Sequence, residues 1–426
     1  MKALLHSLRH GGARRFWAPL AALLIRLGGP RFAAWLSFQS VDWGDLQHGR
    51  AILCLSRESF IKDIAELRKR SAWDYPMVMG GFTRFQMAWF PESMQIQTFY
   101  QKEMPAHPEA VARSAAYARA LIARVQRRCP VRAVLSANFD YWQDSGFKQA
   151  CRELGLPFLV LSREHPIIPR ICIDVVQWYH RAAYRFDGTA IAVAGPSTRQ
   201  VLLEAGVLSR SDQVEITGLP RYDAWREVDT SRPLADRPLV TLLTFTEGYL
   251  ADASFREVLR LFCQAAHRHA GQGVEFVVKS KDAHDTALVR SLMGPEGLAV
   301  ARCTHELPLF EVLPRSRLVI NYNSLSLVEA VMAHAQALVP AWGECQATGP
   351  EAMYPADEPA VTRVLRFARS PAELSETIAQ AVRGEIEPVP DAGQREFLSR
   401  YLYLPDAGSC SEAFDAFLAR HVRPLR

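Results

Sequence analysis

The sequence contains no CxxC pair, no GxGxxG or phosphate-loop signature, no uninterrupted apolar run long enough to span a bilayer, and no acidic residue before Asp42. Each absence narrows what the chain can be. Its eight cysteines, Cys54, Cys129, Cys151, Cys172, Cys263, Cys303, Cys345 and Cys410, stand far apart and without histidines at zinc-ligand spacing. They read as small buried hydrophobes in a reducing compartment, not as a disulfide or metal framework. The missing glycine-rich loops argue against a dehydrogenase or a nucleoside triphosphatase. A spanning helix needs about 20 apolar residues, whereas the apolar stretch over residues 17–27 is interrupted by Arg26 and followed by Arg31, with no clean cleavage site behind it. The expected location is therefore the cytoplasm.

The acid-free beginning carries Lys2, Arg9, Arg14, Arg15, Arg26 and Arg31 among Leu, Phe and Trp. Two readings fit such a basic amphipathic segment. Residues 1–40 make a peripheral contact with the inner face of the cytoplasmic membrane, or they form a helical extension packed on the first domain. The rest is ordinary for a globular protein, with 49% hydrophobic and 22% charged residues. The formal charge of +5, from 50 basic against 45 acidic side chains, is too small to call for a nucleic-acid partner. At 426 residues the chain exceeds what one core usually supports, so two domains are expected.

From Ala51 onward short apolar runs alternate with longer helical patterns. AILCLS, VRAVLSAN, PFLVLS and AIAVAG read as buried strands, and residues 110–128 and 144–154 as helices between them. Residues 229–238, with two prolines and several charges, read as an interdomain linker. The rhythm then restarts with LVTLLTF, VEFVVKS, LAVARC, RLVINYN and QALVPAW as strands, and with helices over 255–269 and 325–334. This is an α/β chain of two doubly wound domains.

Within residues 317–342 a buried strand leads into Asn323, Ser324 and Ser326, which open a helix. Hydroxyls and free backbone N–H groups at such a helix end suit a phosphate or pyrophosphate. Glu329, one turn on, reads either as a hydrogen-bond acceptor for a ribose or as an acid favoured by the helix dipole; Asn323 and Ser324 read equally as plain caps. Lys279 and Lys281 follow VEFVVKS on alternate sides, so that one neutralises phosphate or both are simply solvated.

The run Asn323, Ser324, Ser326, Glu329, Ala330 and Pro340 resembles the donor-binding strand-loop-helix of GT-B glycosyltransferases. That superfamily includes UDP-N-acetylglucosamine 2-epimerase-like, CDP-glycerol glycerophosphotransferase-like and Kdo-transferase families. The sequence departs from it at His334-Ala335-Gln336, where a glycine-proline pair often stands. VEITGLPRYDAW, with Gly218, Pro220, Arg221 and Asp223, is similar to the segment ending the first domain in surface-polysaccharide members. FLSRYLYLPDAGSCSEAFDAFL is similar to their closing segment, with Ala407 inserted between Asp406 and Gly408.

The resemblance implies a GT-B fold: two Rossmann-like domains facing a central cleft, with residues 1–50 as the basic helical extension, 51–230 for the acceptor, 231–395 for the nucleotide sugar, and 396–426 as a crossing helix. It implies a transferase using a nucleotide sugar as substrate, with no cofactor and, lacking a DxD pair, no metal; the alternatives are a polyol-phosphate transferase or a sugar-nucleotide 2-epimerase of the same fold, or an inactive GT-B-like binding protein. The acceptor would be a glycan or a lipid-linked glycan. Thr244 and Thr246 would approach the donor phosphates, and Arg221 the donor or the domain junction, unless it forms a structural ion pair. A base must take the acceptor's proton. Asp140, Asp144, Glu164 and His165 compete for that role, with Glu164 favoured because it follows a strand directly and is flanked by His165 and Pro166.

Overall fold

The computed structural model describes residues 14–56, 60–78, 85–86, 88–91, 101, 103–162, 184–244, 252–322, 324–343, 354, 356, 358–405 and 408–422, with residues 14–22 and 252 described by their backbone alone. The chain divides into two compact units. One holds the described residues up to 162 together with 184–223 and 402–422; the other holds the described residues of 224–401.

The first unit begins with α1 (Arg14–Gln39) and β1 (Val41–Asp42), followed by β2 (Ala51–Leu55), α2 (Ile61–Arg70), β3 (Met77–Val78), α3 (Pro108–Gln126) and β4 (Val131–Ser136). It continues with α4 (Ser145–Leu154), β5 (Phe158–Ser162), β6 (Ala190–Val193), α5 (Pro196–Glu204) and β7 (Val214–Ile216). Its sheet has the order β1-β3-β2-β4-β5-β6-β7 and is parallel except where β1 meets β3. Every residue of β2, β5 and β6 is buried, as expected when consecutive apolar side chains must be covered on both faces of a parallel sheet. Of the two readings of the N-terminal segment, packing is realised over α1: Ile25, Ala33, Ala34 and Leu36 enter the core. The Ser37 hydroxyl and the Tyr117 phenol share a 2.7 Å hydrogen bond that ties α1 to α3.

The second unit contains β8 (Leu239–Leu243), α6 (Asp252–Arg268), β9 (Glu275–Lys279), α7 (Ala283–Val300), β10 (Arg302–Thr304), β11 (Ser316–Ile320) and α8 (Ser326–Met332). After these come β12 (Gln336–Pro340), β13 (Leu365–Ala368), α9 (Pro371–Arg383) and α10 (Asp391–Tyr401). The sheet is parallel throughout, in the order β10-β9-β8-β11-β12-β13. The last helix, α11 (Cys410–His421), belongs to the first unit.

Three expectations need correction. LAVARC is a strand only at its last two residues, Arg302 and Cys303. Gly294, at φ 63°, breaks α7, and Pro295 restarts it as an N-terminal proline can. Residues 298–300 therefore remain helical and β10 is only three residues long. Residues 229–238 are not an open linker, because Arg237 is 1% exposed and its guanidinium donates to the carbonyls of Thr230, Arg232, Ser316 and Ala333 at 2.9–3.3 Å. The strand β13 carries charge at Arg366 and was not anticipated as a strand at all. Of the six cysteines within the described residues, five are buried and Cys263 is half-buried. Burial raises the thiols of Cys129 and Cys263 to about 11, so they are poor thiolates. Among the described residues no helix is long and apolar enough to cross a membrane.

Candidate functional site

A doubly wound parallel sheet binds ligands outside the carboxyl ends of its strands, where the order of connection reverses. In the first unit the chain leaves β2 for β3 on one side and later resumes with β4 on the other, so the reversal lies between β2 and β4. In the second unit it runs from β8 through β9 to β10, then resumes with β11 on the opposite side of β8. The carboxyl ends of β8 and β11 are therefore the place to look, and they carry Thr244 and the residues after Ile320.

Asn321, 1% exposed, organises the second unit's edge. Its Oδ1 accepts the Tyr322 N–H at 2.8 Å, while Nδ2 donates to Ser324 Oγ at 2.8 Å and Ser326 Oγ at 2.9 Å. The two serine hydroxyls are 2.5 Å apart, and Ser324 Oγ also accepts the Ser326 N–H at 3.2 Å. A hydroxyl has one proton and two lone pairs. With two acceptances already on Ser324, its own proton must go to Ser326, which then has both lone pairs filled and one proton left over. Among the described residues, the Ser326 O–H is the uncommitted donor of this cluster.

The backbone does not behave as expected at this helix end. Leu327 N–H donates to Ser324 O at 3.1 Å and Val328 N–H to Leu325 O at 3.0 Å, so a tight first turn occupies the N–H groups expected to point free. What the end of α8 offers an anion is a side-chain hydroxyl backed by the helix dipole. Glu329 is half-buried in the first turn of α8. His334, at φ 53°, is the one non-glycine residue with positive φ among the described residues. Burial, aided by Arg237 and opposed by Asp391, lowers its pKa.

Beside this cluster, the Thr244 hydroxyl donates to Asp285 Oδ2 at 3.3 Å and the Thr244 N–H to Lys279 O at 3.1 Å. The Lys279 ammonium donates to the carbonyls of Ser280 at 2.5 Å and His305 at 3.1 Å. Lys281 has an exposed side chain. The N-terminus of α7 is closed by Asp282, whose Oδ1 accepts the Asp285 N–H at 2.9 Å; backbone N–H donation holds that carboxyl below its usual range. Ser280, Thr286 and His305 form a chain of contacts at 2.6 and 2.9 Å that sequence reasoning did not single out.

In the first unit, Asn138 lies just past β4 at the reversal point. It is 5% exposed and its Nδ2 has no hydrogen-bond partner among the described residues. A buried unpaired amide calls for an explanation, and a ligand that accepts its hydrogen bond is one. Sequence reading passed over Asn138, although an amide directly after a strand end is a visible signal. Asp140 is also buried there. Asp144 is fully buried and accepts the Ser136 hydroxyl at 2.6 Å, which commits it to bracing the end of β4.

Arg221 is placed with structural partners. Its Nε donates to both oxygens of the buried Asp63 at 3.0 and 3.1 Å, its Nη2 pairs with the same carboxylate, and its backbone N–H donates at 3.2 Å. Asp223 accepts the N–H groups of Cys410 and Ser411 at 2.7 and 2.9 Å and the Ser411 hydroxyl at 2.6 Å, capping α11. Glu164, His165, Thr246 and Asn323, and with them Glu247, Pro166 and residues 406–407, lie outside the described residues.

No protein-family model matches the sequence, and no curated protein matches it. Solved structures do. UDP-GlcNAc 2-epimerase from Neisseria meningitidis bound to UDP-GlcNAc is similar over 87% of this chain and 99% of that one, with TM-score 0.50 and 11% identity. LpCGTa in complex with UDP is similar over 93% and 96%, with TM-score 0.50 and 12% identity. The chain has the α/β GT-B fold of two Rossmann-like domains.

Proposed function

We propose that the chain is a cytoplasmic, metal-independent glycosyltransferase that moves a sugar from a nucleotide-activated donor to a growing surface glycan or lipid-linked acceptor at the inner membrane face. The observation that carries the reading is the Asn321–Ser324–Ser326 cluster, which leaves one hydroxyl proton uncommitted at the strand reversal of the second unit. Such a donor meets the charge that grows on a departing nucleoside diphosphate, and Lys281 adds a cation of the right sign. UDP-GlcNAc and UDP, the ligands of the two similar structures, are the first candidates.

In the reaction an acceptor hydroxyl attacks the anomeric carbon as the bond from that carbon to the diphosphate breaks, and a base takes the hydroxyl proton. We assign the base to Glu164, with His165 and Asp140 as the alternatives. Arg221 serves the donor indirectly, by holding the end of the first domain through Asp63. Melting temperature measured against UDP, GDP, CMP, CDP and TDP identifies the donor's nucleobase, since a ligand bound only by the native state raises it. Glu164→Gln should keep that shift while lowering transfer of labelled sugar by about 10² to 10⁴. Turnover within a few fold of the parent moves the role to His165 or Asp140. One of the two similar structures is an epimerase, so 2-epimerisation is the second reading; conversion of UDP-GlcNAc without any acceptor would establish it in place of transfer.

A further inference from the structure

Eight large apolar side chains are exposed among the described residues, and three of them fall within five positions: Leu23, Leu24 and Leu27, at 52%, 37% and 78%. The other five stand singly. The cluster lies on α1, whose Ile25 is buried in the core at 1% exposure. Leu23 and Leu27 are each two positions from Ile25, and at 100° per residue they point roughly opposite to it. Leu27, the most exposed, sits two positions before the break in the helix at Gly29, where φ is 70°. A Cβ on Gly28 would come within 2.6 Å of the Phe32 ring, so the corner at this position requires glycine.

The ridge is bounded by cations. Arg26 and Arg31 are exposed, and the Arg26 Nε donates to Ala88 O at 2.9 Å, which fixes its stem against the first unit. The first 41 residues contain six Lys and Arg and no Asp or Glu. This charge pattern selects the partner. Two copies of the chain joined ridge to ridge about a two-fold axis would gather four of these guanidiniums in one interface, with no acid in either segment to neutralise them. An anionic bilayer accepts the leucines among its acyl chains and the guanidiniums among its phosphates.

We infer that the chain docks on an anionic lipid surface through the Leu23–Leu24–Leu27 ridge of α1, with Arg26 and Arg31 at the headgroup level. Because the other side of the helix is core, this surface is rigidly attached to the first unit and is not a detachable tail. The docking would bring a lipid-linked acceptor within reach of the proposed transfer, but it stands independently of that reading.

Flotation of the full chain with phosphatidylglycerol–phosphatidylcholine vesicles, and with pure phosphatidylcholine vesicles, tests it. The parent should float with the anionic vesicles only, and less at high salt. The combined variant Leu23→Ser, Leu24→Ser, Leu27→Ser should lose at least about tenfold of that partitioning at an unchanged melting temperature. A parent that stays at the bottom of the gradient, or a variant that floats as the parent does, overturns the inference. A parent that is dimeric in solution and becomes monomeric in the variant overturns it too, and makes the ridge a self-interface. Nucleotide-induced thermal shifts, read on the same proteins, report separately on the transferase reading.

Discussion

Two serines two positions apart have different expected consequences, because hydrogen-bond counting separates them. Ser324 spends its proton on Ser326 and its lone pairs on Asn321 Nδ2 and the Ser326 N–H, so its work is internal. Ser326 retains a proton for a ligand. Ser326→Ala should weaken binding of the nucleotide by about 1.5–3 kcal/mol, the range for a hydrogen bond to a charged group, with little change in melting temperature. Ser324→Ala should weaken it less and cost more stability, because a lone pair of Ser326 and the Asn321 amide lose their partner. Calorimetric titration with the nucleotide identified by thermal shift checks the order; equal losses, or a larger one at Ser324, would show that the proton is assigned to the wrong serine. Both serines were legible as candidates from the strand-loop-helix pattern. Asn321, which sets their roles, was not, since its importance lies in bonds made across a turn whose shape only the folded chain displays.

At the scale of elements, the turn from α8 into β12 shows how one backbone conformation constrains a sequence. The Ala333 N–H closes the helix by donating to Glu329 O at 3.0 Å, and His334 then turns left-handed ahead of the strand. A left-handed residue with a side chain costs about 1–2 kcal/mol, and histidine tolerates it better than a β-branched residue. His334→Gly should therefore be neutral or stabilising in thermal unfolding, while His334→Val should lose about 1–3 kcal/mol. Burial lowers the His334 pKa below its unfolded value near 6.5. The folded state thus binds fewer protons than the unfolded one, so the stability linked to this group is full above pH 6.5 and is lost as pH falls through it. The decline of the melting temperature below that pH should be shallower in His334→Gly; an identical profile would place the titrating group elsewhere. Elsewhere the sequence pattern was accurate where a strand is mostly apolar and buried at every residue, as in β2, β5 and β8. It failed at residues 298–300, where glycine and proline restart a helix instead of ending it.

For the whole molecule, the last 25 residues are the least local part of the design. Asp223 caps α11 across 187 positions, Tyr403 N–H donates to Ala194 O at 2.7 Å, and Gly218, at φ 70°, leaves no room for a side chain against Tyr403 O and Cys410. Leu402, Phe414, Phe417 and Leu418 are buried. At about 1.5–3 kcal/mol for each such side chain, their removal approaches the roughly 5–15 kcal/mol that holds a domain together. Deleting residues 402–426 should accordingly lower or abolish the melting transition of the first unit while leaving one for the second; a single unchanged transition would contradict this. The amino-acid sequence by itself determined the alternation of buried strands with helices, the presence of two such series, and the polar residues that follow particular strands, because those depend on short-range periodicity and on side-chain chemistry. Only the tertiary structure decided which strands are neighbours, and so where each sheet reverses. It also gave Arg221 to Asp63, closed the first turn of α8, and built residues 229–238 into the second unit around Arg237. These outcomes follow from pairings between positions far apart in the chain, where burial forces every polar group to find a partner that no local pattern names.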